Sequence, residues 1–156
     1  MRRGTAAAVA AAVASTVLSA CGSPPSPADA VRTWASTGSF AQSVETLLSD
    51  STAMAHEIAH HRAATNVRTI CAELFDDANG ANTDELPSPD DRLTSLLGGA
   101  YDRLVQAASR CTQAPGDPAV LARADAERHL AVGMLVAAVL REEAVAGRSL
   151  RIPGIP

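Results

Sequence analysis

The chain has 156 residues, with 13 arginines and no lysine against 17 acidic residues, for a formal net charge of −4. That balance, with no basic stripe, excludes a nucleic-acid partner held by phosphate contacts. One Trp, one Tyr and two Phe leave little material for a groove that stacks sugars or bases.

Arg2 and Arg3 precede an Ala/Val-rich run from Thr5 to Leu18, which ends in Leu18-Ser19-Ala20-Cys21. A positive start, a short apolar core and a small-residue end are the parts of an export signal. The core is too short to span a bilayer, which takes about 20 apolar residues. The Leu-Ser-Ala-Cys ending resembles the lipobox of bacterial lipoproteins. The resemblance implies that residues 1–20 are removed and that Cys21 receives a diacylglycerol. The protein is then anchored to the extracytoplasmic face of the cell membrane. An ordinary cleaved signal, leaving Cys21 as a free thiol, is the other reading. Residues 21–27, with Ser23-Pro24-Pro25-Ser26-Pro27, read as a stiff spacer. Residues 28–147 then read as one helical domain and 148–156 as a tail. Eleven arginines and all seventeen carboxylates follow Cys21, so the mature charge is about −6.

Four helices are expected. Ser26-Pro27 followed by Asp29 supplies an N-cap, a proline at the first helical position and an acid at the third. This short helix, with Val31 and Trp34 on one side, stops at Gly38. Ser39 and Gln42 read as a capping box for a second helix running to Asp77 or Ala78, closed by Asn79-Gly80. Ser88-Pro89-Asp90-Asp91 repeats the N-cap pattern and opens a third helix through Cys111. Asp117-Pro118 opens a fourth, ending near Gly147. No segment alternates with the period of a strand. The expected fold is all-α: a small bundle of three long helices and one short N-terminal helix, with one disulfide.

Two irregularities stand out. In the second helix Phe40, Val44, Leu47, Met54 and Ile58 share one face, whereas Val67, Ile70, Cys71 and Leu74 fall on roughly the opposite one. The helix must break near Arg62–Asn66, or its halves must pack on different neighbours. In the third helix Gly98-Gly99 interrupts the pattern. The fourth contains the apolar stretch Leu130–Leu140, read as a central helix buried on most sides or as a partner-binding or dimer face.

Once Cys21 is acylated, Cys71 and Cys111 remain as a pair in an oxidising compartment. A disulfide between them closes a loop of about 40 residues and stabilises by a few kcal/mol. Two free thiols or a metal site are the other readings, although neither cysteine lies in a Cys-x-x-Cys pattern. A straight hairpin of the expected helices sets Cys71 opposite the start of the third helix. The resulting offset from Cys111 approaches about 20 Å, against the Cα separation of about 4.4–6.8 Å that a disulfide needs.

His56-Glu57-Ile58-Ala59-His60 is a literal HExxH. On a helix, His56 and His60 share a face and can reach one Zn²⁺ while Glu57 acts as base on a bound water. The motif resembles that of the zincin metallopeptidases, which implies a zinc-dependent hydrolase. The flank His61-Arg62 differs from that family, and no third ligand stands at its spacing; Glu73 and His129 are the candidates. A metal-binding bundle without catalysis would draw on His56, His60 or His61 from one helix and Asp125, Glu127 or His129 from another. Surface histidines without a ligand are the plain alternative.

The arrangement Cys71-x-x-Leu74, Pro87-x-Pro89-Asp90 and Leu104 to Cys111 resembles small exported actinobacterial proteins that are helical and carry a cysteine pair. Abundant alanine without lysine agrees with the GC-rich genomes of that group. Their function is mostly unassigned, so the resemblance implies a fold and a disulfide and no activity. The expected role is a lipid-anchored, non-enzymatic module for an envelope protein or a small ligand. No resident cofactor is expected unless the histidines hold zinc.

Overall fold

Side-chain oxygens of Ser26, Asp90 and Asp117 accept from the first free N–H groups of three helices, each replacing a hydrogen bond the helix end cannot make for itself. The computed structural model describes residues 24–60 and 62–152. The lipobox and Cys21 therefore lie outside the described residues, as does His61. Among the described residues there are five helices and no strand: α1 Pro27–Thr37, α2 Phe40–Ala59, α3 Ala64–Glu85, α4 Asp91–Gln113 and α5 Pro118–Ala146. The all-α class stands. The count of three long helices plus one short one is corrected to five.

The second expected helix is two helices, broken between His60 and Ala63. The two apolar faces read from the sequence belong to separate elements. α2 buries Phe40, Val44, Leu47 and Met54; α3 buries Val67, Cys71, Leu74, Ala78 and Ala81. A single straight helix would have turned one of these faces to water. α3 also runs through Asn79-Gly80 to Glu85. A helical glycine costs about 1 kcal/mol; beyond it Ala81 packs into the core and buried Glu85 accepts from Tyr101, which favour continuing the helix. The expected 39–42 capping box does not form: the Ser39 side chain caps no backbone N–H of α2, and its hydroxyl instead accepts from Ser43 Oγ at 3.2 Å and donates to Glu85 Oε1 at 3.4 Å.

α4 begins at Asp91 with Asp90, not Ser88, as its cap; Leu93 N–H donates to Asp90 Oδ1 at 2.8 Å. The Ser88 hydroxyl instead donates to the Asp90 carbonyl at 2.8 Å. The expected interruption at Gly98-Gly99 is absent. Gly99 is a contact point, since a Cβ there would stand 2.3 Å from Met134 Cε of α5. α5 ends as expected, with Gly147 at φ +66°, a left-handed geometry that glycine adopts without steric cost.

Cross-helix pairs fix the topology. Cys71 meets Cys111 and Glu85 meets Tyr101 between α3 and α4. Asp90 meets Arg141 and Arg103 meets Glu127 between α4 and α5. Cys71–Cys111 and Asp90–Arg141 each join one end of a helix to the opposite end of the next, and Ser39 before α2 meets Glu85 at the end of α3, so α2 to α5 form an up-down-up-down bundle. The continuation of α3 to Glu85 removes most of the cysteine offset, because it sets Cys71 farther from the α3–α4 connection. Cys71 now lies in the second turn of α3 and faces the last turn of α4, with Cα atoms 6.0 Å apart.

α1 packs at the end of the bundle where α3 and α5 finish. Arg32 Nη1 donates to the Ala146 carbonyl at 3.0 Å, and Trp34 Nε1 donates to the Glu85 carbonyl at 3.1 Å. Residues 148–152 fold back on the same end. Arg148 donates through Nε and Nη2 to Glu142 Oε1 at 3.2 and 3.0 Å, and Leu150 N–H donates to Glu143 Oε1 at 2.6 Å. The buried side chains from Val31 to Ile152 make one cluster, so the core closes within the described residues and the domain is a folding unit in its own right. α5 is not buried on most sides. Ala131, Leu135, Ala138 and Val139 face the core, while Leu130 and Leu140 are 54% and 51% exposed. No helix among the described residues is long and apolar enough to cross a membrane.

Candidate ligand cleft at the α2–α5 seam

The HExxH residues sit where α2 ends. His56 and Glu57 are in its last turn, but His60 is already the C-cap. The two imidazoles stack against each other, with ring centroids 4.1 Å apart. His60 Nδ1–H donates to the His56 carbonyl at 2.9 Å, and Glu57 Oε1 lies 3.4 Å from His56 Nδ1. Both histidines are exposed. The proposed partners on α5 are engaged elsewhere: Asp125 accepts from Arg128 Nε at 2.7 Å and Glu127 from Arg103 Nη1 at 2.5 Å. Among the described residues, no three His, Cys, Asp or Glu side chains are grouped closely enough to hold a metal ion. A zinc-hydrolase centre needs three protein ligands and an open position, and the described residues supply only the histidine pair.

The same turn contributes to a different feature. Between α2 and α5, at the end of the bundle opposite α1, a cleft of about 410 Å³ is left open. That size falls within the range of about 300–1,000 Å³ usual for small-molecule sites. Buried Val67 and Pro115 form its floor, and half-buried Ile58 and Leu121 form its walls. The exposed rim includes Ala59, Gly116, Pro118 and Ala122. Two charged side chains complete the lining, Glu57 from α2 and Arg62 from the connection.

Local chemistry makes the cleft rigid. The turn after α4 is closed by Asp117 N–H donating to the Ala114 carbonyl at 3.1 Å, and Asp117 then caps α5. Pro115 and Pro118 restrict the same turn. On the α3 side, Cys111 Sγ lies 3.9 Å from the Val67 carbonyl, so the disulfide supports the helix turn that forms the floor. The charges divide unevenly. Glu57 is drawn toward His56, whereas the Arg62 guanidinium has no hydrogen bond or ion pair with any described residue.

A polar cluster lies on the α2–α3 seam. Asp50 faces Asp77 and Glu73, and one of its carboxylate oxygens is buried without a hydrogen-bond partner. Burial, then Asp77, then Glu73 push its carboxyl up to about 6. At the α1 end, Tyr101 donates to Glu85 Oε2 at 2.5 Å inside the core. Burial and then the Glu85 charge raise the phenol above its ordinary range.

Sequence patterns alone point to His56, Glu57 and His60 and miss Arg62, Val67, Pro115 and Leu121 as a group. These four come from two stretches far apart in the chain, 62–67 and 115–121. The one local sign was Arg62 beside the expected break. Comparison with protein-family models, with curated proteins and with solved structures gives no match, so the reading of the cleft rests on its own residues.

Proposed function

We propose that this protein is a lipid-anchored, extracytoplasmic, non-enzymatic binding module that presents the α2–α5 cleft to a ligand. The observation that carries the reading is the cleft itself, which is apolar-floored, supported by two prolines and a disulfide, and left open by the bundle's own packing. The Leu18-Ser19-Ala20-Cys21 sequence supports the anchor, and a disulfide suits an oxidising compartment. The position of α1 adds a geometric argument. α1 packs at the end of the bundle opposite the cleft, an arrangement that suits an N-terminal anchor.

Two measurements test the reading. Metabolic labelling with an acyl chain should mark the wild type in the membrane fraction and not the Cys21→Ala variant; an unlabelled wild type removes the anchor. Native mass spectrometry of the exported domain, residues 22–156, should show a retained ligand or saturable binding of an added one. A domain with one tightly held zinc, lost in His56→Ala or His60→Ala, would overturn the non-enzymatic reading.

A further inference from the structure

The geometry points to an anionic amphiphile as the ligand of the α2–α5 cleft: a carboxylate or similar anion received by Arg62, on an apolar body packed against Ile58, Val67 and Leu121. This inference rests on the reading of the cleft as a binding site and adds the chemistry of what it takes.

Three observations converge. The floor and walls are hydrocarbon, and burying apolar ligand surface there is the main favourable contribution. The floor is also built before any ligand arrives, because Pro115, Pro118 and the Cys71–Cys111 bond hold its sides. A preformed cavity avoids the cost of ordering side chains on binding.

The second observation is charge. Glu57 and Arg62 both line the cleft, yet they do not pair with each other. Glu57 Oε1 lies 3.4 Å from His56 Nδ1 on the outer face. Of these two charged groups, Arg62 is the one whose side-chain donors meet no described partner, and a guanidinium presents a fork matched to a carboxylate. A cationic ligand would meet that guanidinium and would have to compete with His56 for Glu57.

The third is size. About 410 Å³ accommodates one small molecule. A helical peptide in a groove needs apolar anchors along several turns, whereas the apolar lining here is confined to one end of the bundle, between the end of α2 and the start of α5. A second opening, along α2 and α3, is lined by Asp76, Asp77 and Asp84 and lacks the cation. A third, between Arg110 and Arg123, has cations but only Ala114 and Val120 as apolar lining.

The test is titration calorimetry on the domain, residues 22–156, with decanoate, decanol and decyltrimethylammonium, each below its micelle concentration. Decanoate should bind about tenfold more tightly than decanol, the discrimination expected of a charge-assisted hydrogen bond, and the ammonium amphiphile should bind more weakly than either. Arg62→Gln should bring decanoate to the level of decanol and leave decanol unchanged. Ala122→Trp, which fills the mouth from an exposed position and leaves the core intact, should abolish binding of both. Equal affinity for decanoate and decanol, or an Arg62→Gln variant that keeps the preference, overturns the anion assignment while the cleft reading stands. No binding of any probe overturns both.

Discussion

Breaking the Cys71–Cys111 bond should cost this domain a large part of its stability while leaving its helices in place. The bond closes a loop of 40 residues, and releasing a loop of that length from the unfolded chain is worth about 4 kcal/mol at 25 °C. A domain with an unfolding entropy of about 2.1 cal/mol/K per residue should then melt roughly 15 °C lower. The native state itself should change little. The antiparallel register of α3 and α4 sets the two Cα atoms 6.0 Å apart, and both cysteines are wholly buried among apolar neighbours. The assay is thermal melting followed by circular dichroism, with and without reductant, on the wild type and on Cys71→Ala/Cys111→Ala. The wild type should lose the stated interval on reduction, and the double variant should melt low under both conditions. Ellipticity at 25 °C should be nearly the same throughout. A fall of less than about 4 °C, or loss of helix at 25 °C on reduction, would refute the argument that the bond acts on the unfolded chain.

Other perturbations probe the polar contacts. Asp50 has its carboxyl pushed up to about 6 from 3.8, so the native state holds that proton more tightly than the unfolded one. The associated stability is complete below pH 3.8 and is lost as pH rises through about 6. Asp50→Asn should therefore raise the melting temperature at pH 7.5 and flatten its pH dependence between pH 4 and 6. A variant less stable than the wild type at pH 7.5 would contradict this. Arg148→Ala leaves the fully buried Glu142 without its partner and should cost about 3 kcal/mol in urea unfolding; a change within 0.5 kcal/mol, on the order of a surface substitution, would show that the tail is not coupled to the core. Tyr101→Phe removes the donor to buried Glu85 and should cost about 1–3 kcal/mol, read by fluorescence of Trp34, which bonds the Glu85 backbone.

The cysteine pair and the two faces of the 40–74 region were readable because both are properties of residue type and spacing. The opposite placement of Phe40–Ile58 and Val67–Leu74 required either a break or two sets of neighbours, and the break falls at His60–Ala63. The HExxH illustrates the reverse case. Its spacing is right for a shared helix face, but α2 stops at Ala59 and the α5 carboxylates are committed to arginines. The switch of apolar face announces a break but not that it falls before the second histidine, and nothing local announces the arginine partners.

Local sequence by itself determined the helical class, the caps at Ser26 and Asp117, the left-handed stop at Gly147 and the apolar faces, since each depends on residues within a turn or two of one another. The tertiary structure alone decided that α3 continues past Gly80, that α4 passes unbroken through Gly98-Gly99, and that α2 and α5 part around Val67 and Leu121. Those outcomes depend on contacts between residues far apart in the chain. Where such contacts bury whole side chains, they outweigh the preferences of about 1 kcal/mol by which a glycine would end a helix.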